Sequence, residues 1–201
     1  EISANHNGLI KNAKKLIMTA KKNGADIVKL QTYEPKNMTI NSTQKDFLIK
    51  SGLWKGYKLW DLYKEAQTPF SWQKKLFEYS KKIKMPCFST PYDDEGVDLL
   101  KKLESKLYKV SSFEMKDSFL VKKICRIGKP VIISTGLASL GEINEVYRLA
   151  KKSGCKKLVL LYCVSAYPAK NEDFNLNNID ILKKKFKCEI GFSDHSTDNS
   201  V

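Results

Sequence analysis

The sequence predicts an α/β protein built on a parallel sheet. Three observations predict it. Short apolar runs rich in Val, Ile and aromatic residues recur along the whole chain, amphipathic stretches of helical period separate them, and polar residues fall at the C-terminal ends of successive runs. The length of 201 residues, 42% of them hydrophobic, is enough to bury a core.

The strand candidates are ADIVKLQ (25–31), MPCFST (85–90), LYKVSS (107–112), PVIIST (130–135), KLVLLYCVS (157–165) and CEIGFS (188–193), with EISA at the start reading as the tail of an earlier strand. Residues 9–23 place Leu9, Ala13, Leu16, Ile17 and Ala20 on one stripe, and Gly24 follows as a stop. Residues 140–153 follow Ser139, with Glu142 three places on, the pattern of a capping box, and end at Gly154. Asp117 and Gly128 bracket another helix.

Seven strands, each reached through a helix, pair in parallel, and both a doubly wound sheet and a (β/α)8 barrel fit that rhythm. A complete TIM barrel usually needs about 250 residues. The expectation is therefore one partial (β/α)8 TIM-barrel domain over residues 1–201, from the end of strand one through strand seven, with the chain a fragment that opens without Met at EISANHNG. Residues 33–70 break the rhythm: GLWKGYKLWDLYKEAQTPF is too long for a plain loop, and its aromatics read equally as a local core or a lid.

Composition narrows the function. No run reaches the roughly 18 apolar residues of a membrane helix, and no signal peptide opens the chain. Cys87, Cys125, Cys155, Cys163 and Cys188 are scattered singly with no C-x-x-C, which reads as buried thiols of a reducing cytoplasm. The formal charge of +14 first suggests nucleic acid, but only Arg126 and Arg148 are arginines, and the lysines recur as pairs on helix-like segments. Nucleic-acid readers favour the planar donor fork of Arg. A field that favours small anions fits better.

The polar residues are the functional signal. Lys29 and Gln31 share one parity, with Val28 and Leu30 on the other; Cys163, Ser165 and Tyr167 share a parity, as do Ser193 and His195. Thr90, Lys109, Ser134 and Ser193 lie at the C-terminal ends of their runs, the end where barrel active sites are built. Taken singly, each reads as a surface hydroxyl or a snorkelling lysine; recurrence at one end does not. Two lysines with several hydroxyls form an anion cradle, each charge-assisted bond contributing about 1.5–3 kcal/mol. No P-loop, G-x-G-x-x-G or Ser-His-Asp ordering is present.

At these residues the chain resembles the sialic acid synthase family, which condenses phosphoenolpyruvate with an amino-sugar aldehyde. The resemblance spans essentially the whole chain and rests on EISANHNG, VKLQTY, FSTPYD, YKVSSFE, ISTG, SAYPA and GFSDHS in the family's order. Within the family it is closest to the pseudaminic acid synthases, through the insertion LWKGYKLWDLYKEAQTP, the SSFE turn and Ser165 in SAYPA. Lys170, where a proline is common, and STDNS after His195 depart from the family pattern.

The resemblance implies that Lys29, Thr90, Lys109, Ser112, Ser134 and Ser193 hold the phosphoenolpyruvate phosphate and carboxylate. Ser112 has the opposite parity from Lys109 and must sit on the turn beyond the strand. Glu1, Gln31 and Tyr167 would bind the sugar, with Ser165 between sugar and phosphoenolpyruvate. Glu1 is a candidate for proton transfer, and Glu114 is a further member of the pocket. His195 would be a ligand for Mn²⁺ or Mg²⁺, ions that want about six ligands; the family's second histidine lies on strand eight, expected beyond Val201. His6, in NHNG, reads as a loop-fixing residue. The resemblance further implies a C-terminal antifreeze-like domain, absent here, and a homodimer for the complete protein. Open alternatives are an N-acetylneuraminate or legionaminate synthase, a non-catalytic barrel that binds anionic sugars, and a nucleic-acid binder.

Overall fold

A computed structural model describes residues 1–197. The chain forms two compact units, Glu1–Ser105 and a second that begins at Lys106. The first contains α1 (Ile10–Lys22), β1 (Val28–Thr32), α2 (Pro35–Met38), α3 (Leu59–Ala66), α4 (Phe70–Lys82), β2 (Cys87–Pro91) and α5 (Asp94–Lys102). The second contains β3 (Tyr108–Val110), α6 (Ser118–Cys125), β4 (Val131–Ser134), α7 (Leu140–Lys152), β5 (Leu158–Cys163), α8 (Asn177–Lys185) and β6 (Glu189–Ser193).

In the first unit β1 and β2 pair in parallel, with Gln31 opposite Thr90. Burial alternates along β1, with Val28, Leu30 and Thr32 buried between half-buried Lys29 and Gln31. That alternation turns Val28 and Leu30 into a core with Ile2, Ala13, Ile17, Leu76 and Met85. The opposite face, carrying Lys29 and Gln31, is left for polar work.

One expectation is corrected here. EISA forms no strand, because Ser3 takes a positive φ of 47° and turns the chain away. Ile2 N still donates to Lys29 O at 3.0 Å, a single backbone bond along β1. The described residues thus hold six strands rather than seven.

The insertion is neither purely core nor purely lid. Tyr33 is buried and meets the edges of Tyr63 and Tyr92, with ring centroids 6.0 and 5.3 Å apart. Leu53, Trp54 and Tyr57, beside the antiparallel bridge of Leu48 and Lys58, are exposed.

In the second unit β3, β4, β5 and β6 pair in parallel in sequence order. Register partners in a parallel sheet present side chains to the same face. Lys109 aligns with Ile132, Ser134 with Leu161, and Cys163 with Ser193, so Lys109, Ser134, Cys163 and Ser193 share one face. The other face puts Val110, Ile133 and Leu160 into a core with Leu120, Val121, Ile124, Ile143, Val146 and Ala150.

Helix starts follow the sequence. Asp117 accepts from Phe119 N and Leu120 N at the head of α6 (2.9 and 3.0 Å). Ser139 and Glu142 close the expected capping box on α7. All five cysteines are unbridged, and among the described residues no helix is long and apolar enough to cross a membrane.

Candidate active site

Each unit carries its own polar cluster on and beside its strands. In the first, Lys29 forms an ion pair with Glu1. Gln31, beside it on β1, has its carbonyl bonded by Gln73 Nε2 at 2.8 Å. Thr90, across the register from Gln31, is 1% exposed and its Oγ1 has no hydrogen-bond partner. A buried hydroxyl without a partner costs about 1–3 kcal/mol, and an incoming polar ligand would satisfy it.

His6 fixes the loop ahead of α1. Its ring is buried, Nδ1 accepts from Gly8 N at 3.1 Å, Nε2 lies 3.5 Å from Thr68 Oγ1, and the ring meets Trp72 edge-on. With Nδ1 occupied as an acceptor, the proton of the neutral ring sits on Nε2.

In the second unit Lys109 is the centre. It is 5% exposed, and its Nζ donates to Ser134 Oγ at 2.5 Å and to Val110 O at 2.8 Å. Burial pushes its pKa down from 10.5 to about 8, a shift that Cys163 and Glu114 partly offset. An ammonium has three protons, so one remains for a ligand. Glu114, in the 3-10 turn after β3, is pushed up from 4.5 to about 7, chiefly by burial, with its own backbone N–H and Lys109 opposing. Glu114 Oε2 is buried and without a hydrogen-bond partner. A lysine that loses its proton easily thus neighbours a carboxyl that keeps one, a pairing typical of sites that move protons.

Ser112 stands on the turn beyond β3, as its parity required. Its Oγ accepts from Gly136 N at 3.1 Å and lies 3.2 Å from Cys163 Sγ. Ser165 approaches the same glycine so closely that a Cβ there would sit 2.5 Å from Ser165 Oγ. Cys163 and Ser165 also border a cavity of about 580 Å³ between the end of β5, α7 and α8, lined mainly by Leu137, Leu140, Ile143 and Ile181. Lys109, Ser134, Ser193 and His195 do not line it.

The last part of the cluster is His195. Its Nδ1 is 2.8 Å from Val164 O; a carbonyl can only accept, so Nδ1 carries the proton and Nε2 the lone pair. Nε2 lies 3.5 Å from Ser193 Oγ. The segment after β5 clasps this histidine: Ala169 N donates to His195 O at 3.0 Å, and the exposed Tyr167 ring lies 4.4 Å from the imidazole. Burial, then Cys163 and Glu114, raise the Tyr167 pKa.

The structure therefore gathers Glu1 with Lys29 and Gln31 with Thr90 in one unit. In the other it joins Lys109 to Ser134 and Glu114, and Ser193 to His195 and Tyr167. Sequence reasoning passed over Gly136 and gave Cys163 only a shared parity. The glycine of ISTG, directly after a strand end, was the available signal, since such a glycine marks a close approach.

The comparisons with known proteins place the chain in a family. Residues 16–201 match the sequence model of the NeuB family. The chain belongs to the NeuB family. This NeuB-family chain is 44% identical over 98% of its length to a pseudaminic acid synthase of Campylobacter jejuni, and 41% identical over 98% to one of Helicobacter pylori. It spans 57% and 58% of those two proteins. Among solved structures, an N-acetylneuraminic acid (sialic acid) synthetase from Leptospira borgpetersenii in complex with citrate matches with a TM-score of 0.86 and 29% identity, over 98% of this chain and 64% of that one. The spore coat polysaccharide biosynthesis protein spsE of Bacillus subtilis follows at 0.79 and 30%, over 96% and 51%. The fold is accordingly α/β with parallel strands, of the kind these proteins share, an incomplete (β/α)8 TIM barrel.

Proposed function

We propose that this NeuB-family protein, in its complete form, is a pseudaminic acid synthase. It condenses phosphoenolpyruvate with 2,4-diacetamido-2,4,6-trideoxy-L-altrose and water to give pseudaminic acid and phosphate, a transferase step in the synthesis of nonulosonic acids for surface or flagellar glycans. The observation that carries the reading is the buried Lys109 ammonium bonded to Ser134 at the strand ends, in a chain 44% identical to a pseudaminic acid synthase.

The residues then divide the work. Lys29, Thr90, Lys109, Ser112, Ser134 and Ser193 hold the phosphate and carboxylate of phosphoenolpyruvate. Glu1, Gln31 and Tyr167 bind the sugar, and Ser165 lies between the two substrates. Carbon 3 of phosphoenolpyruvate attacks the aldehyde carbon, leaving a cationic centre at carbon 2. Water adds at carbon 2, and phosphate departs with cleavage of its bond to that carbon. Glu114 takes or gives a proton during this sequence, since a pKa near 7 suits both directions; Glu1, paired with Lys29, is the second carboxylate available.

A divalent ion, Mn²⁺ or Mg²⁺, fits His195 as one ligand, because Val164 O holds the Nδ1 proton and leaves Nε2 with a lone pair, beside Ser193 Oγ. Among the described residues no group of three or more His, Cys, Asp or Glu is arranged to hold a metal. His195 thus supplies a single corner. When bound, the ion would polarise the aldehyde oxygen.

A homodimer and a cytoplasmic location belong to the same reading. The test is to incubate the complete protein with phosphoenolpyruvate, Mn²⁺ and the altrose substrate and to measure phosphate release. Turnover with N-acetylmannosamine instead would move the assignment to the neuraminate branch. Binding without turnover, with Lys109→Ala weakening affinity alone, would leave an anion-binding barrel.

A further inference from the structure

Ser112 is the one anion-binding candidate whose hydroxyl is already held from two sides. Its oxygen accepts the Gly136 N–H at 3.1 Å and touches Cys163 Sγ at 3.2 Å, and all this occurs out of water, with Ser112 7% and Cys163 2% exposed. The arrangement depends on a side chain that is missing. A Cβ on Gly136 would fall 2.6 Å from Cys163 Sγ and 2.9 Å from Cys163 O, besides its clash with Ser165. Glycine alone brings the loop after β4 close enough to present its N–H to Ser112.

We propose that Gly136 and Cys163 are positioning residues for Ser112, which together turn its hydroxyl proton toward an anion bound beside Lys109. The inference rests on the synthase reading for the identity of that anion. With one lone pair of Ser112 Oγ taken by the Gly136 N–H, the remaining directions are shared between the thiol and the ligand. Until an anion binds, the hydroxyl proton rests on sulfur, a weak acceptor that gives it up easily. When a phosphate or carboxylate oxygen arrives, the proton swings to it, and the Cys163 S–H donates back to the lone pair left behind. No bond is made or broken; two hydrogen bonds change partners. Cys163 thereby acts on substrate only through Ser112, which separates it from the residues that touch the anion.

A double-mutant cycle on the complete protein tests this, with Cys163→Ala, Ser112→Ala and the pair measured for KM toward phosphoenolpyruvate and Kd for inorganic phosphate. Cys163→Ala is expected to raise both by about five-fold and, in the Ser112→Ala background, by less than about 1.5-fold, the coupling expected of contacting residues. The turnover number should stay within about two-fold, as befits loss of ground-state positioning. Cys163→Ser, which keeps a donor, should recover most of the affinity. A merely structural role would lower the melting temperature and weaken binding by equal factors in both backgrounds, and that result overturns the proposal. Gly136→Ala should abolish phosphate binding, but because it endangers the fold the cysteine cycle decides. If phosphate binds with the coupled pattern but phosphoenolpyruvate is not consumed, the synthase reading fails and the positioning stands. If wild-type protein binds no phosphate, the positioning falls.

Discussion

Lys109 and Ser134 are joined across neighbouring strands by a 2.5 Å hydrogen bond in a buried setting, the ammonium of β3 capped by the last hydroxyl of β4. The bond orients the lysine, whose other hydrogen bond goes to a backbone carbonyl, Val110 O. A buried cation served by neutral oxygens is held at a cost to stability, and an anion relieves that cost.

Phosphate binding should therefore weaken as pH rises through about 8, where the free lysine loses its proton. Stability moves the other way. Because the folded pKa lies below the unfolded value of 10.5, the cost of the buried charge is fully present below about 8 and is relieved as pH climbs toward 10.5. Lys109→Met should stabilise the protein by about 1–2 kcal/mol while removing anion binding. Thermal unfolding beside phosphate titration checks both.

Glu114→Gln keeps the shape of the protonated acid. The folded pKa near 7 exceeds the ordinary 4.5, so wild-type stability should fall as pH rises between those values and level off above. The variant should lose that slope. In the complete protein its turnover should drop about 100-fold or more if the carboxyl transfers a proton. Melting curves from pH 4.5 to 7.5 and steady-state rates read the two effects.

His6 predicts an acid weakness of the opposite kind. Burial lowers its pKa below the ordinary 6.5. Its stabilising neutral form is fully present above 6.5 and is lost as pH falls. Wild-type protein should lose melting temperature between pH 7 and 5.5 more steeply than His6→Gln, measured at constant ionic strength.

Ser139→Ala removes the hydroxyl that starts α7, where Ser139 Oγ accepts from Glu142 N at 3.3 Å and donates to Glu142 Oε2 at 2.9 Å, while the backbone bond from Ser139 N to Oε2 stays. Loss of about 1 kcal/mol is expected, read by chemical denaturation. Glu142 also pairs with Lys116 at 2.6 Å, so part of the effect should vanish in high salt.

Much of this was legible in the sequence, and the reason is periodicity. Lys29 and Gln31 on one face of β1, and Ser139 with Glu142 before α7, depend on neighbours within a few residues, where local rules hold. The burial that gives Glu114 its raised pKa and the loop that clasps His195 arise from contacts far apart in sequence, and no pattern announces them. EISA was misread because its composition suits a strand, whereas Ser3 takes a positive φ of 47° that a strand does not allow. Gly136 shows the limit most clearly: a glycine in sequence says that something approaches, but only coordinates say that it is the thiol and hydroxyl of β5 and its loop.

The lysines that make the chain so basic have a fixed address. α1, α4, α5, α6, α7 and α8 each carry a lysine pair or triplet in the last turn, at Lys21–Lys22, Lys81–Lys82, Lys101–Lys102, Lys122–Lys123, Lys151–Lys152 and Lys183–Lys185. There they answer the partial negative charge of exposed helix carbonyls. In a βα repeat, helix tails lead into strand beginnings, whereas substrates meet strand endings. The surplus charge is thus concentrated at helix tails, the segments that precede the next strand in sequence, whereas Lys29 and Lys109 belong to the strands themselves, β1 and β3.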